Sequence, residues 1–208
     1  MNLDLTEDQE MLKNAARSFL TDKMPKTKVR EIEESACGFD KELWRGMAEL
    51  GWFGIILPER YGGFEGSLTD LAILLIEAGR NLLPLPLFPT LVLGELPILK
   101  YGSEALKERV LKPAAEGKLV LGMAYQEGPY TPAAESDIQA LAREVDGGFV
   151  LTGEKLYVLF GQQANLLLIP AKVGKQTSML AVEASSGGVV IEPIPTASIE
   201  RFSSVTLN

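Results

Sequence analysis

The 208-residue sequence contains no histidine, and this absence excludes the largest set of functions. Histidine is the usual general base of serine and cysteine hydrolases and a frequent zinc ligand. The chain therefore has no Ser-His-Asp or Cys-His catalytic centre and no ordinary zinc site, and we predict no metal site. Acid–base chemistry carried out by this chain would depend on carboxylates, lysines or tyrosines.

Cysteine is scarce, and long hydrophobic runs are missing. Because Cys37 is the only cysteine, the chain cannot form an internal disulfide, which is typical of a reducing compartment. The most apolar stretches, Leu71–Ile76 and Leu82–Leu93, are shorter than the roughly 20 residues that span a bilayer. The first ten residues are polar and acidic, unlike a signal peptide. We expect a cytoplasmic protein without a membrane segment.

Basic residues are outnumbered by acidic ones, 20 to 28, which gives a net charge of −8. A nucleic-acid-binding surface needs a basic stripe, so the charge balance argues against a dedicated nucleic-acid binder. A local basic site for a small anionic ligand stays open. The composition, 46% hydrophobic and 23% charged, is otherwise that of a folded protein with one or two domains.

The first half of the chain has helical patterns with clear start signals. Thr6 and Gln9 form a capping box before an apolar pattern of helical period, and Ser67 with Asp70 repeats this arrangement. Asp40 and Ser103 are the predicted caps of two further helices. Between them, the sequence predicts a buried extended piece at 52–57, a glycine loop up to Gly63, and a helix over about 90–100.

The second half changes to a period of two. Residues 138–145 alternate, and Asp146-Gly147 predicts a hairpin turn. Further short strands are predicted at 149–152, 156–160, 164–170, 178–182, 189–194 and 202–207. The fold class is therefore α+β, with an N-terminal all-α domain at 1–117 and a small antiparallel β-barrel or sandwich at 118–208.

The order of several motifs resembles the acyl-CoA dehydrogenase family of flavoproteins. The motifs that carry the resemblance are LTEDQEML (Leu5–Leu12), LWRGMAELGW (Leu43–Trp52), LPERYGG (Leu57–Gly63) and EAGR (Glu77–Arg80). Each motif alone is weak, but their order and spacing together are specific. The stretches Gly79–Pro86 and Ala164–Pro170 also resemble a divergent branch of steroid side-chain degradation, whose enzymes pair unlike subunits.

The resemblance implies α,β-dehydrogenation of an acyl-CoA with FAD as the electron acceptor. Typical members continue into a C-terminal four-helix domain, which supplies the catalytic glutamate and much of the dimer interface. That domain has no counterpart here, so we assign no catalytic residue. We expect a homo- or hetero-oligomer in which a later segment or an acyl-CoA dehydrogenase subunit supplies it.

The resemblance also implies the cofactor-binding residues. Tyr125 and Gln126 correspond to the start of the family's first flavin-binding loop motif, and Ser136 to its end, with altered spacing. In the second motif, Tyr157 replaces a tryptophan that packs on the flavin, and an aromatic ring can still stack there. Leu159 replaces a threonine whose hydroxyl bonds near flavin N5, so a leucine removes that hydrogen bond.

These departures leave three interpretations open. The chain is an acyl-CoA dehydrogenase-like polypeptide that is incomplete without its third domain or a partner. Alternatively, it is a non-catalytic structural subunit of a heteromeric acyl-CoA dehydrogenase that binds no FAD itself. The third interpretation is an inactive fragment, which would expose apolar surface and self-associate.

Overall fold

A computed structural model of the chain describes residues 4–128 and 137–208. The described residues form two compact units. The helical unit contains the chain up to Phe88 together with Ile98–Lys118, and the β unit contains Pro89–Pro97 with Leu119–Asn208. We keep 1–117 and 118–208 as the proposed domains along the chain, with Pro89–Pro97 as a segment that packs with the strands.

The bounds of the α-helices are α1 Glu7–Lys23, α2 Lys26–Glu34, α3 Lys41–Glu49, α4 Leu68–Arg80, α5 Leu96–Tyr101 and α6 Glu104–Ala115. Four of the α-helices in the described residues begin where a capping side chain bonds one of their first amides, whereas α2 begins after Pro25 without such a bond. The predicted capping boxes at Thr6 and Ser67 are both formed, and Asp40 and Ser103 cap α3 and α6. After α3, Gly51 takes the left-handed conformation (φ 75°) that ends a helix.

The segment after Gly51 is buried as predicted, but it is not extended. It forms two short 3₁₀ helices, Trp52–Gly54 and Glu59–Tyr61. The extended prediction was wrong because the backbone bonds locally: Leu57 N donates to Gly54 O at 3.1 Å. Apolar side chains alone do not distinguish a buried strand from a buried turn of helix.

The helix predicted over 90–100 is divided into two parts. Pro89–Glu95 is a π-helix, and α5 follows it directly. Pro97 lacks an amide hydrogen, so a regular α-helix cannot pass through it with all its hydrogen bonds. Thr90 bonds with both the amide and the carbonyl of Leu121 in the β unit, which fixes the π-helix there.

In the part of the β unit that the structure describes, seven strands form one curled sheet. The strands are β1 Leu121–Met123, β2 Leu141–Val145, β3 Gly148–Leu159, β4 Leu166–Val173, β5 Gln176–Glu183, β6 Val189–Ile194 and β7 Phe202–Leu207. The order is β1-β4-β2-β3-β7-β6, with β5 paired to β4. The predicted α+β class is confirmed, but β1 and β2 run parallel to β4, so the sheet is mixed and not wholly antiparallel.

The strand predictions hold for the hairpins, fail at one junction and omit β1. Asp146-Gly147 joins β2 to β3 as predicted, with Gly147 at φ 83°. The strands predicted at 149–152 and 156–160 are one strand, β3, because its pairing with β2 ends at Thr152 and its pairing with β7 begins at the next residue, Gly153. The core of the β unit lies between the strands and contains Ala124, Val158, Ala164, Leu167, Ile169, Val205 and Leu207.

Candidate functional site

Two neighbouring segments of the β unit contain those cofactor-binding residues predicted from the sequence that the structure describes. Tyr125 and Gln126 follow the end of β1, whereas Tyr157 and Leu159 lie in the second half of β3. The backbone joins the two segments, since Leu156 N donates to Gln126 O at 2.8 Å. Ser136 lies outside the described residues.

A bulge in β3 decides which of its side chains face outward. Lys155 pairs with Val205 of β7, but Val158 pairs with Ser203, so β3 contains one extra residue between them. Before the bulge the buried position is Lys155, and after it the buried position is Val158. An unbroken strand would place residue 157 on the buried side with Lys155. The bulge therefore turns Tyr157 outward.

Tyr157 itself has an unusual backbone conformation. Its φ is 54°, in the left-handed region that residues other than glycine rarely adopt. Its side chain is 39% exposed, and its ring meets Phe202 of β7 edge-on, with the centroids 6.5 Å apart. Strained conformations of this kind cluster at binding and catalytic sites. The ring thus has one supported edge and a free surface for stacking.

At the end of β1, Gln126 and Tyr125 differ in what they can offer a ligand. The Gln126 side-chain amide donates to Gly128 O at 3.1 Å, which closes a local turn. Tyr125 is 36% exposed and offers an aromatic surface. The backbone of this segment is held by the bond to Leu156, so its direction is fixed by β3.

Leu159 is the last residue of β3 and pairs with Phe202. It is partly buried, and its side chain carries no donor. The next residue, Phe160, is buried and also left-handed, with φ 52°, and its amide donates to Arg201 O at 2.7 Å. The end of β3 is therefore an apolar wall.

An ion pair between the buried Lys155 and the partly buried Glu127 lies beside these residues, and our sequence analysis did not identify it. Lys155 is fully buried, and its ammonium donates to the Glu127 carboxylate and to Pro170 O, the latter at 2.8 Å. Glu127 also accepts from the amides of Gln139 and Ala140, the second at 3.0 Å. The signal was available: Lys155 occupies a core-facing position of an alternating strand, where a lysine requires an acidic partner.

Hydrogen bonds favour the charged form of Glu127 and oppose the effect of burial on Lys155. Burial raises the pKa of the Glu127 carboxyl, but the bonds from Lys155, Gln139 and Ala140 outweigh it and leave the pKa below its usual value. Burial lowers the pKa of the Lys155 ammonium, and Glu127 offsets part of this effect. The carboxylate therefore carries its charge at neutral pH.

A fully buried carboxyl, Glu95, lies at the end of the π-helix. Its side chain is inaccessible to solvent, and neither oxygen has a hydrogen-bond partner among the described residues. Burial raises the pKa of Glu95 well above its ordinary value, so it is far more readily protonated than an exposed glutamate. The adjacent Gly94 packs against Leu121 so closely that a methyl group there would meet its Cβ at 2.3 Å.

The helical unit has a groove of ≈ 440 Å³. It lies between the starts of α1 and α4 and the end of α3, and its exposed apolar side chains include Leu50 and Phe64. Asp8 and Asp70 make part of its rim acidic. Within residues 4–128 and 137–208, no cluster of three metal-ligating side chains occurs. No helix in the same ranges is long and apolar enough to cross a membrane.

Comparison with known proteins identifies relatives of both halves of the chain. Residues 6–118 match the family model described as acyl-CoA dehydrogenase, N-terminal domain. A curated relative, benzylmalonyl-CoA dehydrogenase of Aromatoleum aromaticum, is 28% identical over 198 residues, covering 92% of this chain and 51% of the relative. The chain thus spans about half the length of the curated relatives it matches.

Solved structures give the same result for the fold. A glycine-to-alanine variant of the Tcur3481-Tcur3483 steroid ACAD superposes with a TM-score of 0.88 at 30% identity, covering 97% of this chain and 55% of that chain. The FAD complex of PigA superposes with a TM-score of 0.85 at 25% identity, covering 100% of this chain and 57% of that chain. Both halves of the sequence therefore have counterparts in single known chains.

Proposed function

The chain belongs to the acyl-CoA dehydrogenase family, and we propose that it forms the FAD-contacting half of an enzyme that dehydrogenates an acyl-CoA thioester. The observation that carries the proposal is the outward-facing Tyr157 ring on the β3 bulge, next to the end of β1. The relatives named above include an acyl-CoA dehydrogenase and a chain solved with FAD, which supports the same class of ligand.

The chemistry of the described residues supports a flavin ring as the ligand, with fewer hydrogen bonds than the family pattern provides. Tyr157 offers a partly exposed aromatic face for stacking on a flat heterocycle. Tyr125 and Gln126 would border the same ligand from the end of β1, and Leu159 would form an apolar wall beside it. Ser136 is retained as a proposed contact on the strength of the sequence resemblance alone.

The chemistry divides between this chain and a second part. Bound FAD supplies the acceptor for the hydride that leaves the β-carbon. This chain would orient the reacting face through Tyr157 and exclude water with Leu159. We assign no general base to it, and the α-proton would be removed by a carboxylate outside these 208 residues. We therefore propose that the chain alone binds FAD but does not catalyse the dehydrogenation.

The proposed partners follow from that division. We propose a homo- or hetero-oligomer in which a C-terminal four-helix domain comes from a later segment or from another acyl-CoA dehydrogenase subunit. The similarity to a steroid ACAD whose name joins two gene products supports a heteromer and a role in lipid or steroid degradation. The compartment is proposed to be the cytoplasm. The substrate is a CoA thioester, with no role for nucleic acid or membrane.

A second function is favoured by one observation. Leu159 has no hydroxyl, and the Gln126 amide already bonds Gly128, so two groups that could bind a flavin are lost. The alternative is a non-catalytic structural subunit that binds no FAD and holds an active partner.

A complementation experiment tests the first function against the second. The purified chain is mixed with FAD and the separately produced C-terminal half of benzylmalonyl-CoA dehydrogenase, and acyl-CoA thioesters are added without oxygen. Loss of flavin absorbance near 450 nm would support the dehydrogenase. A stable complex in which the flavin is neither bound nor reduced would favour the structural subunit. Tyr157→Ala serves as the control, since it should fold but reduce flavin occupancy.

A further inference from the structure

We propose that Glu127 and Lys155 are positioning residues that fix the bulge of β3 and thereby set the direction of the Tyr157 ring. The identity of the ligand toward which Tyr157 faces rests on the proposed function. The geometry of the bulge does not, and it can be tested separately.

The ion pair lies immediately beside the bulge. From Gly153 to Lys155, β3 pairs with β7 in one register. The extra residue of the bulge comes after Lys155, before the pairing resumes at Val158. Its buried ammonium is bonded to Pro170 of β4 and to Glu127 after β1. A rotation of β3 about its axis at this point would break both contacts.

Two parallel connections join the end of β1 to β3. Glu127 bonds to Lys155, and the preceding residue, Gln126, accepts the amide of Leu156 at 2.8 Å. Glu127 is in turn fixed by the Gln139 and Ala140 amides just before β2. The carboxylate therefore connects three segments of the sheet at one point, directly before the strained Tyr157.

Directional bonds explain why an ion pair occupies this position. A buried ion pair often contributes no more stability than apolar side chains of the same volume, so stability alone is a weak reason for it. A left-handed tyrosine persists only where its surroundings over-determine the backbone. Apolar side chains would fill the space without specifying where the Leu156 amide points, whereas the pair fixes the neighbouring backbone through four hydrogen bonds.

The experiment compares the double variant Glu127→Gln/Lys155→Met with Leu207→Ala in the full 208-residue chain. The double variant removes both charges, so neither is left buried alone. Leu207→Ala removes a core side chain from the same unit and lowers its stability without touching the pair. Amide hydrogen exchange is measured for Leu156 and, as references, for the amides of β6 and β7.

We expect the Leu156 amide of the double variant to exchange about tenfold faster relative to the β6 and β7 amides. In Leu207→Ala all these amides should accelerate together. If Leu156 accelerates no more than the references in the double variant, the pair acts only through overall stability and the proposal is wrong.

FAD titration gives the second measurement. If the wild-type chain binds FAD, the dissociation constant of the double variant should rise about tenfold, and an unchanged constant would overturn the positioning role. If the wild-type chain binds no FAD, the proposed function fails instead, and the exchange comparison alone decides whether the pair fixes the bulge.

Discussion

Glu77 and Glu95 are both buried glutamates, and they differ in whether a cation lies beside them. Glu77 is 2% exposed and accepts two bonds from Arg17, at 2.7 and 2.9 Å. Those bonds, opposed by burial, lower the pKa of Glu77, whereas burial alone raises the pKa of Glu95. Glu77 is therefore a carboxylate that stabilises the fold, whereas ionisation of the buried Glu95 destabilises it.

Glu95→Gln should raise the free energy of unfolding at pH 7. The unfolded chain releases the Glu95 proton near its ordinary pKa of 4.5, whereas the folded chain retains it to higher pH. In the wild-type chain, the contribution of Glu95 to the free energy of unfolding is fully present below pH 4.5. This contribution is lost as the pH rises through the pKa of Glu95 in the folded state. The gain from glutamine should therefore grow from pH 4 to pH 8 in urea unfolding. A gain that shrinks over this range would contradict the assignment.

Glu77→Gln should have the opposite effect. The variant breaks the charge-assisted pair with Arg17 and should lower the free energy of unfolding at pH 7 by about 1–3 kcal/mol. Because the folded pKa lies below 4.5, the difference should diminish as the pH falls through the folded value. Urea unfolding at pH 7 and at pH 3 measures both. A difference that is equal at the two pH values would mean that packing, not charge, is responsible.

Among the secondary-structure elements, the two capping boxes are linked. Gln9, the N3 residue of α1, donates through its side chain to Asp70, the N3 residue of α4, at 3.0 Å. Asp70 in turn accepts from the amide and hydroxyl of Ser67. Burial raises the pKa of Asp70, but these bonds outweigh it and hold the pKa below its usual value. The start of each helix therefore depends on the other.

Asp70→Ala should lower the free energy of unfolding by about 1–2 kcal/mol, because it removes a capping partner together with the link to α1. Asp8→Ala is the matched control, since Asp8 also lies in the first turn of a helix but is exposed. Its effect should stay within about 0.5 kcal/mol. Equal losses in the two variants, measured by urea unfolding, would argue against the link.

The β3 bulge leads to a prediction about Tyr157. Tyr157→Gly and Tyr157→Ala both remove the ring, but glycine adopts φ 54° without strain. The glycine variant should be more stable than the alanine variant by about 1 kcal/mol in urea unfolding. Both should weaken FAD binding, because the stacking surface is lost. An alanine variant as stable as the glycine variant would mean that the bulge does not hold residue 157 in the left-handed region.

The sequence predicted the elements whose causes are local. The caps at Thr6, Asp40, Ser67 and Ser103 and the turn at Asp146-Gly147 are each determined by side chains a few residues apart, and all were found where expected. The bulge, the π-helix and the parallel pairings depend on contacts between distant segments. The outward direction of Tyr157 is the clearest case, since plain alternation places it in the core.

For the molecule as a whole, the central fact is that two units with the family's fold span about half the length of the relatives. The β unit brings together four of the five proposed flavin contacts, with Ser136 outside the described residues. Its Lys155–Glu127 pair supports their geometry. We therefore propose that this chain recognises the cofactor and that proton abstraction takes place elsewhere.

Gel filtration of the purified chain with added FAD, followed by an absorption spectrum of the protein peak, is the most direct test of cofactor recognition by this chain. We expect flavin absorbance near 450 nm to elute with the wild-type protein and to be much reduced with Tyr157→Gly. A folded wild-type chain that elutes without flavin would contradict it. The chain would then be interpreted as a structural subunit whose partner carries both the cofactor and the base.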